Sequence, residues 1–251
     1  MVDIIDHDSV RELRLNRPPV NALDVPFIDA LSKAIKEGSE AADALVLSGR
    51  PGMFSAGLDV PSLLQLDRAG TERFVRSFFG LMEMVARSPV PIASAITGHC
   101  PAGGTVIVLY SDYRVMCKGK YVMGLNEVQV GLPVPETIQG ALARWVGRRH
   151  AERLVVAGQL IKPDYAYDIG LVDQVEEDAE STVKAAIDWC TRLVKTLPKE
   201  AMLTTRKIAR ADLTALFDNF GEADINRFTE GWFSPHTQAG LKKLVEQLGK
   251  K

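Results

Sequence analysis

An alternating α/β fold is predicted by three features of this chain. From residue 10 to residue 49 the segments read strand, helix, strand, which is the sequence sign of a βαβ unit. Between residues 91 and 133 an apolar run, a glycine step, a second apolar run and another strand-like run follow one another. The third feature is size. With 251 residues, 46% hydrophobic and 25% charged, the chain can bury a large core, either in one α/β domain or in one domain with a helical appendage.

Val10-Arg11-Glu12-Leu13-Arg14-Leu15-Asn16 alternates apolar and polar residues over most of its length, the period of a half-buried strand, and Arg17-Pro18-Pro19 stops it. Residues 23–36 have helical spacing, with Asp24 as N-cap, Pro26 in the first turn and an apolar stripe through Phe27, Ile28, Leu31 and Ile35. Residues 44–49 form a nearly continuous apolar run, read as a fully buried strand. After a loop at 49–59, helices are expected at 63–66 and 74–86, separated by the charged Asp67-Arg68-Ala69-Gly70. This pair is either a wall over a site or a plain packed hairpin. Residues 92–96 and 113–117 read as strands, and 105–110 as a buried helix entered through Ala102-Gly103-Gly104. Amphipathic runs at 135–146 and 148–158 precede a short helix opened by Lys162-Pro163-Asp164 and ended at Gly170, a C′ glycine. Residues 171–175 make a last short strand. From Asp178 onward the period is helical, broken at Pro198, Gly221 and Pro235. That shift divides the chain into a core domain, 1–177, and a C-terminal helical subdomain, 178–251, with no internal repeat or low-complexity tract.

Composition removes several classes of function. A net charge of −2 gives no general basic field, so nucleic acid is not an expected partner. The basic positions Lys195, Lys199, Arg206, Lys207 and Arg210 are partly offset by nearby acids and read as a solvated helix face. No apolar run approaches the roughly 20 residues that span a bilayer. Neither a signal peptide nor a peroxisomal address is read at the ends, so the expected compartment is the cytoplasm. Cys100, Cys117 and Cys190 are widely spaced and odd in number, unlike a disulfide framework or a zinc site. Cys117 and Cys190 read as buried thiols, and Cys100 as a residue of the glycine-rich turn without a partner base. Four histidines, at positions 7, 99, 150 and 236, give no metal triad, and His99 reads as a hydrogen-bonded turn residue.

Three segments can carry chemistry. Ser55-Ala56-Gly57-Leu58-Asp59 is a small-residue turn after a buried strand, where backbone can approach a ligand closely, and Asp59 suits the start of a helix. An ordinary loop with an N-cap is the bland alternative. Ala102-Gly103-Gly104 precedes Val106-Ile107-Val108-Leu109, which has no polar side chain; if this helix start binds anything, its backbone does so. The two glycines alternatively serve close helix packing. Glu127 is the only acid between Asp112 and Glu136, among apolar or small neighbours. Burial there raises a carboxyl pKa toward what a base for a carbon acid needs, whereas a surface glutamate on a turn is the alternative. Asp112 and Arg114 read as a structural ion pair or as surface charges.

In order and separation these segments resemble the crotonase superfamily, the enoyl-CoA hydratase/isomerase proteins. The resemblance runs over residues 10–175 through Leu15-Asn16-Arg17-Pro18-Pro19-Val20-Asn21-Ala22-Leu23, Phe54-Ser55-Ala56-Gly57-Leu58-Asp59, Pro101-Ala102-Gly103-Gly104 and Gly170-Leu171-Val172-Asp173. It implies a spiral of ββα turns with a C-terminal helical region that builds trimers or dimers of trimers. It also implies an oxyanion hole made by the N–H groups of Leu58 and Gly103, an acyl-CoA substrate and no further cofactor. Ala56, Gly57, Leu58, Asp59 and Val60 would line the thioester site. Hydratases of this superfamily carry a glutamate two residues after the glycine step, where this chain has Val106. Their second glutamate matches Glu127. The Gly124-Leu125-Asn126-Glu127 segment is similar to that of mitochondrial-type Δ3,Δ2-enoyl-CoA isomerases, which implies that Glu127 is a single catalytic base and Asn126 its substrate-contacting neighbour. Hydratase, thioester hydrolase or a non-catalytic acyl-CoA-binding role are the rival expectations. Thr97 and His99 depart from the commoner patterns around the turn.

Overall fold

The structure is a computed structural model that describes residues 1–248. Its strands, in chain order, are β1 (Val2–His7), β2 (Val10–Leu15), β3 (Ala44–Ser48), β4 (Gly52–Met53), β5 (Ile92–Ile96), β6 (Gly98–Pro101), β7 (Tyr113–Cys117), β8 (Met123–Gly124) and β9 (Gln174–Glu176). Six of them form one sheet in the order β1-β2-β3-β5-β7-β9, and β4-β6-β8 form a second of three strands. Only the β1–β2 pair is antiparallel.

The helices interleave with the strands: α1 (Val25–Ala41), α2 (Val60–Leu63), α3 (Arg68–Ala86), α4 (Gly103–Leu109), α5 (Glu136–Ala157) and α6 (Pro163–Asp168), then α7 (Ala179–Thr196), α8 (Lys199–Ala209), α9 (Ala211–Ala215), α10 (Glu222–Trp232) and α11 (Pro235–Leu248). The unit of large-sheet strand, small-sheet strand, helix therefore recurs as β3-β4-α3, β5-β6-α4 and β7-β8-α5. This is the expected spiral of ββα turns, although the sequences of the turns are unlike one another.

Alternation along the large sheet assigns its two faces. Leu45, Leu47, Ile92, Ile96 and Met116 point into the main core with α1, α3 and α4. Ala44, Val46, Ala93, Ala95 and Val115 point the other way, onto Ala186 and Cys190 of α7. Alanines on this second face let α7 lie close against the sheet. Asp24 caps α1, its carboxylate accepting from Phe27 N at 2.9 Å. Gly147, at φ 74° and ψ 156°, breaks α5 between its two predicted halves. None of the described helices is long and apolar enough to cross a membrane.

Five expectations need correction. The helix expected at 63–66 is α2 at Val60–Leu63, started by Asp59 as its N-cap and ended at Leu64. The charged segment after residue 66 is the first turn of α3, because Asp67 caps it by accepting from Gly70 N at 2.7 Å. The last strand lies at 174–176 instead of 171–175, since Leu171 and Val172 turn into the core and hydrogen-bond back to Ala166. Asp112 and Arg114 do not pair with each other. Arg114 is fully buried, donates to Asp173 at 2.8 Å and stacks 3.7 Å over the Trp145 ring. Arg206 and Arg210 are not solvated: both pair with Asp112, at 2.7 and 3.0 Å, and tie the C-terminal helices to the start of β7. Burial depresses the Arg210 pKa, to about 10.

Candidate active site

The small sheet organises the site. Its strands are two to four residues long and parallel, in the register Gly52↔Gly98, Met53↔His99, Cys100↔Met123 and Pro101↔Gly124. Parallel strands leave their functional loops at their carboxyl ends. Each of the three candidate segments sits there: 55–59 follows β4, 102–103 follows β6 and 125–127 follows β8. A Cβ on Gly98 would lie 1.9 Å from the Gly52 carbonyl carbon, so that position must be glycine for β4 and β6 to approach.

Residues 17–23 hold the first loop in place. The buried Asn21 side chain donates to Leu15 O and Phe54 O at 3.1 and 2.9 Å and accepts from Arg17 N at 2.7 Å. Ser55 Oγ donates to Asn21 O at 2.7 Å. Along the loop, Ser55 N donates to His99 O, Ala56 N to Val20 O, Gly57 N to Ser55 Oγ, Asp59 N to Leu23 O and Val60 N to Leu58 O. The Leu58 N–H alone in this run has no acceptor among the described residues. Gly103, the first residue of α4, likewise donates to no protein acceptor there, as expected of a helix-start amide.

These two loops touch. A Cβ on Gly57, whose φ is +86°, would stand 3.0 Å from Gly103 N and 3.1 Å from Ala102 Cβ. A Cβ on Gly103 would meet Leu58 Cδ2 at 3.2 Å. Glycine at 57 thus leaves the Gly103 amide uncovered. Ala102 adopts φ 48° and ψ −124°, a conformation that costs a residue with a Cβ about 1–3 kcal/mol. It is held by Ala102 N donating to Gly124 O at 2.8 Å and Val106 N donating to Ala102 O at 3.0 Å. Such strain is characteristic of functional turns.

Glu127 begins a 3-10 turn, Glu127–Val130, closed by Gly131 at φ 83°. The turn is seated by α11: Thr237 Oγ1 donates to Gly131 O at 2.8 Å, and Gly240 lies against Val130. Oε2 of Glu127 is buried without a hydrogen-bond partner among the described residues. Burial pushes its carboxyl pKa up to about 7, because the charged form lacks solvation. Asn126 is half-buried just before it, its carbonyl accepting from Gln129 N at 3.0 Å.

The remaining candidates have plainer roles. Asp59 caps α2, accepting from Ser62 N at 3.2 Å, and pairs with Arg17 at 2.8 Å. Val60 is packed in the core, while Ala56 stays half-exposed. Cys100 is fully buried, which pushes its thiol well above the ordinary range, so it is no nucleophile. His99 accepts from Val122 N at 3.3 Å and meets the Tyr121 ring edge-on. Asn21, Arg17, Thr237 and Thr105, whose hydroxyl accepts from Gly124 N at 2.8 Å, support the site without a sequence signal of that role. Asn21 and Arg17 lie within the Leu15–Leu23 segment, but nothing in their spacing shows which loop they hold.

The Enoyl-CoA hydratase/isomerase family description matches residues 6–251. Human mitochondrial enoyl-CoA delta isomerase 1 is 31% identical over 247 residues, covering 96% of this chain and 80% of that protein. A probable enoyl-CoA hydratase from Mycobacterium avium is 29% identical over 225 residues, covering 86% and 84%. Among solved structures, human mitochondrial delta3-delta2-enoyl-CoA isomerase superposes with a TM-score of 0.93 at 28% identity, over 99% of this chain and 98% of that one.

Proposed function

This chain belongs to the enoyl-CoA hydratase/isomerase family, the crotonase superfamily, and from that premise we propose that it is a Δ3,Δ2-enoyl-CoA isomerase. The thioester oxygen of a 3-enoyl-CoA accepts from the Leu58 and Gly103 N–H groups. Glu127 takes a proton from C2. The C2–H bond breaks, its electron pair spreads over the dienolate, and charge gathers on the oxygen held by the two amides. The same carboxyl then returns the proton to C4, a C4–H bond forms, and the double bond is left between C2 and C3. Removing one oxyanion donor typically costs about 3–4 kcal/mol of barrier, and a placed general base contributes about 10²- to 10⁴-fold.

The observation that carries this reading is the Glu127 carboxyl, with a buried, unpartnered Oε2 and a pKa raised to about 7. That is the state of a base poised to accept a proton near neutrality. Val106, which is buried, supports isomerisation over hydration, since the resemblance puts it where hydratases carry the first of their two glutamates, leaving Glu127 as the single carboxylate. In the same reading residues 63–86 and the Pro101 turn hold the acyl chain, which is supported by the partial exposure of Leu64 and Leu66. Assembly through residues 178–251 into a homotrimer or a dimer of trimers belongs to the same reading and is supported by the exposed Leu197 and Ile208.

The test is a coupled assay with 3-enoyl-CoA. Glu127→Gln is expected to abolish isomerisation while acyl-CoA binding persists; full activity in that variant overturns the assignment. Turnover of 2-enoyl-CoA with water, exceeding that of the 3-enoyl thioester, would favour the hydratase reading to which the Mycobacterium avium relative's name points.

A further inference from the structure

We propose that Thr105 is a positioning residue that sets the oxyanion amide of Gly103 against the base Glu127. The inference rests on the isomerase reading and adds a residue to it. Thr105 is fully buried in the first turn of α4, two residues after Gly103. Its hydroxyl donates to the Cys100 carbonyl in β6 and accepts from Gly124 N in β8 at 2.8 Å. Gly124 lies three residues before Glu127 and, through its carbonyl, also accepts from Ala102 N at 2.8 Å.

One hydroxyl therefore joins three elements: the strand that leads into the turn, the helix that carries Gly103, and the strand that leads to the base. β8 is only two residues long and pairs with β6 at Cys100 and Pro101. So short a ladder fixes the position of its outgoing chain weakly. Gly124 cannot help through a side chain, and its φ of +136° shows how sharply the chain turns away there. Met123 also exchanges two backbone hydrogen bonds with Ile161 on its other side; the Thr105 bond is the side-chain tie that links β8, and hence residues 125–127, to the helix start. Among the described residues the Thr105 hydroxyl bonds to Cys100 O and Gly124 N and to no position proposed for substrate, so its effect is on the distance between base and amide.

Three substitutions test this, with steady-state kinetics on 3-enoyl-CoA. Thr105→Val keeps shape and removes both hydrogen bonds; Thr105→Ser keeps the hydroxyl; Ser94→Ala removes a different buried hydroxyl pair, Ser94 with Ser111 at 2.5 Å. Misplacement of reacting groups by about 1 Å costs up to about 100-fold. The expected result is a kcat drop of about 10- to 100-fold in Thr105→Val with KM within about twofold, recovery in Thr105→Ser, and near-normal kcat in Ser94→Ala. The pH dependence of kcat/KM should also move in the valine variant and return in the serine one. Should the valine variant fail to fold, Thr105→Ala gives the same comparison without overpacking risk. A kcat within about threefold of wild type in Thr105→Val, or an equal loss in Ser94→Ala, overturns the positioning role. Absence of turnover by the wild-type protein overturns the isomerase reading itself, so the two failures are distinct.

Discussion

Replacing Glu127 by Gln separates the proposed catalytic role of this carboxyl from its structural burden. Burial holds the Glu127 pKa near 7 in place of an ordinary 4.5, so ionising it within the fold costs about 3 kcal/mol. A raised carboxyl pKa means that the fold prefers the protonated form. The favourable contribution is complete below about pH 4.5 and is lost as pH rises through about 7. Glutamine cannot ionise and does not lose it. Wild-type stability relative to Glu127→Gln should therefore fall by about 2–3 kcal/mol between about pH 5 and pH 8. Comparing the two proteins across pH cancels any fixed cost of the buried amide. Urea unfolding of both at each pH gives the difference directly. Parallel stability curves, with a change under about 0.5 kcal/mol, would refute a buried and unsolvated Glu127.

Other consequences follow from the same geometry. The kcat/KM of the wild type should rise with pH and level off above an apparent pKa of about 7, falling about tenfold per unit below it, because the base must be ionised. Gly57→Ala places a Cβ 3.0 Å from Gly103 N at a φ of +86°, so kcat should fall by about 100-fold or more while circular dichroism shows the fold retained. Asn21→Ala removes the bonds to Leu15 O, Phe54 O and Arg17 N and should lower unfolding free energy by about 2–3 kcal/mol in urea titration. Asp112→Ala removes the carboxylate that neutralises the largely enclosed Arg206 and Arg210 guanidinium groups and should cost about 3–5 kcal/mol, read as a lowered urea midpoint.

The large sheet was legible because its strands are chemically loud. β3 and β5 are short, fully buried and almost wholly apolar, and the stripe of α1 with its Asp24 cap gave that helix within a few residues. The small sheet was silent. Gly52-Met53 and Met123-Gly124 are two-residue strands, too short for any periodicity to appear. Their pairing is what gathers the three loops, so the candidate site followed from motif resemblance and not from pattern. Leu58 shows a second limit. Its amide stands out only because the neighbouring amides are each engaged by Val20, Leu23, His99 or the loop itself, and those partners are distant in sequence. Arg206 and Arg210 mislead for the converse reason: charged residues on an amphipathic helix look solvated until Asp112, which faces them, is located.

In the proposed reaction one enclosed carboxyl carries a proton from C2 to C4 of the substrate. This transfer is tested most directly by turning over 3-enoyl-CoA deuterated at C2 in ordinary water and locating the label in the product. Deuterium recovered in part at C4 is the predicted result. Product formed with no label at C4, or no product at all, would contradict it.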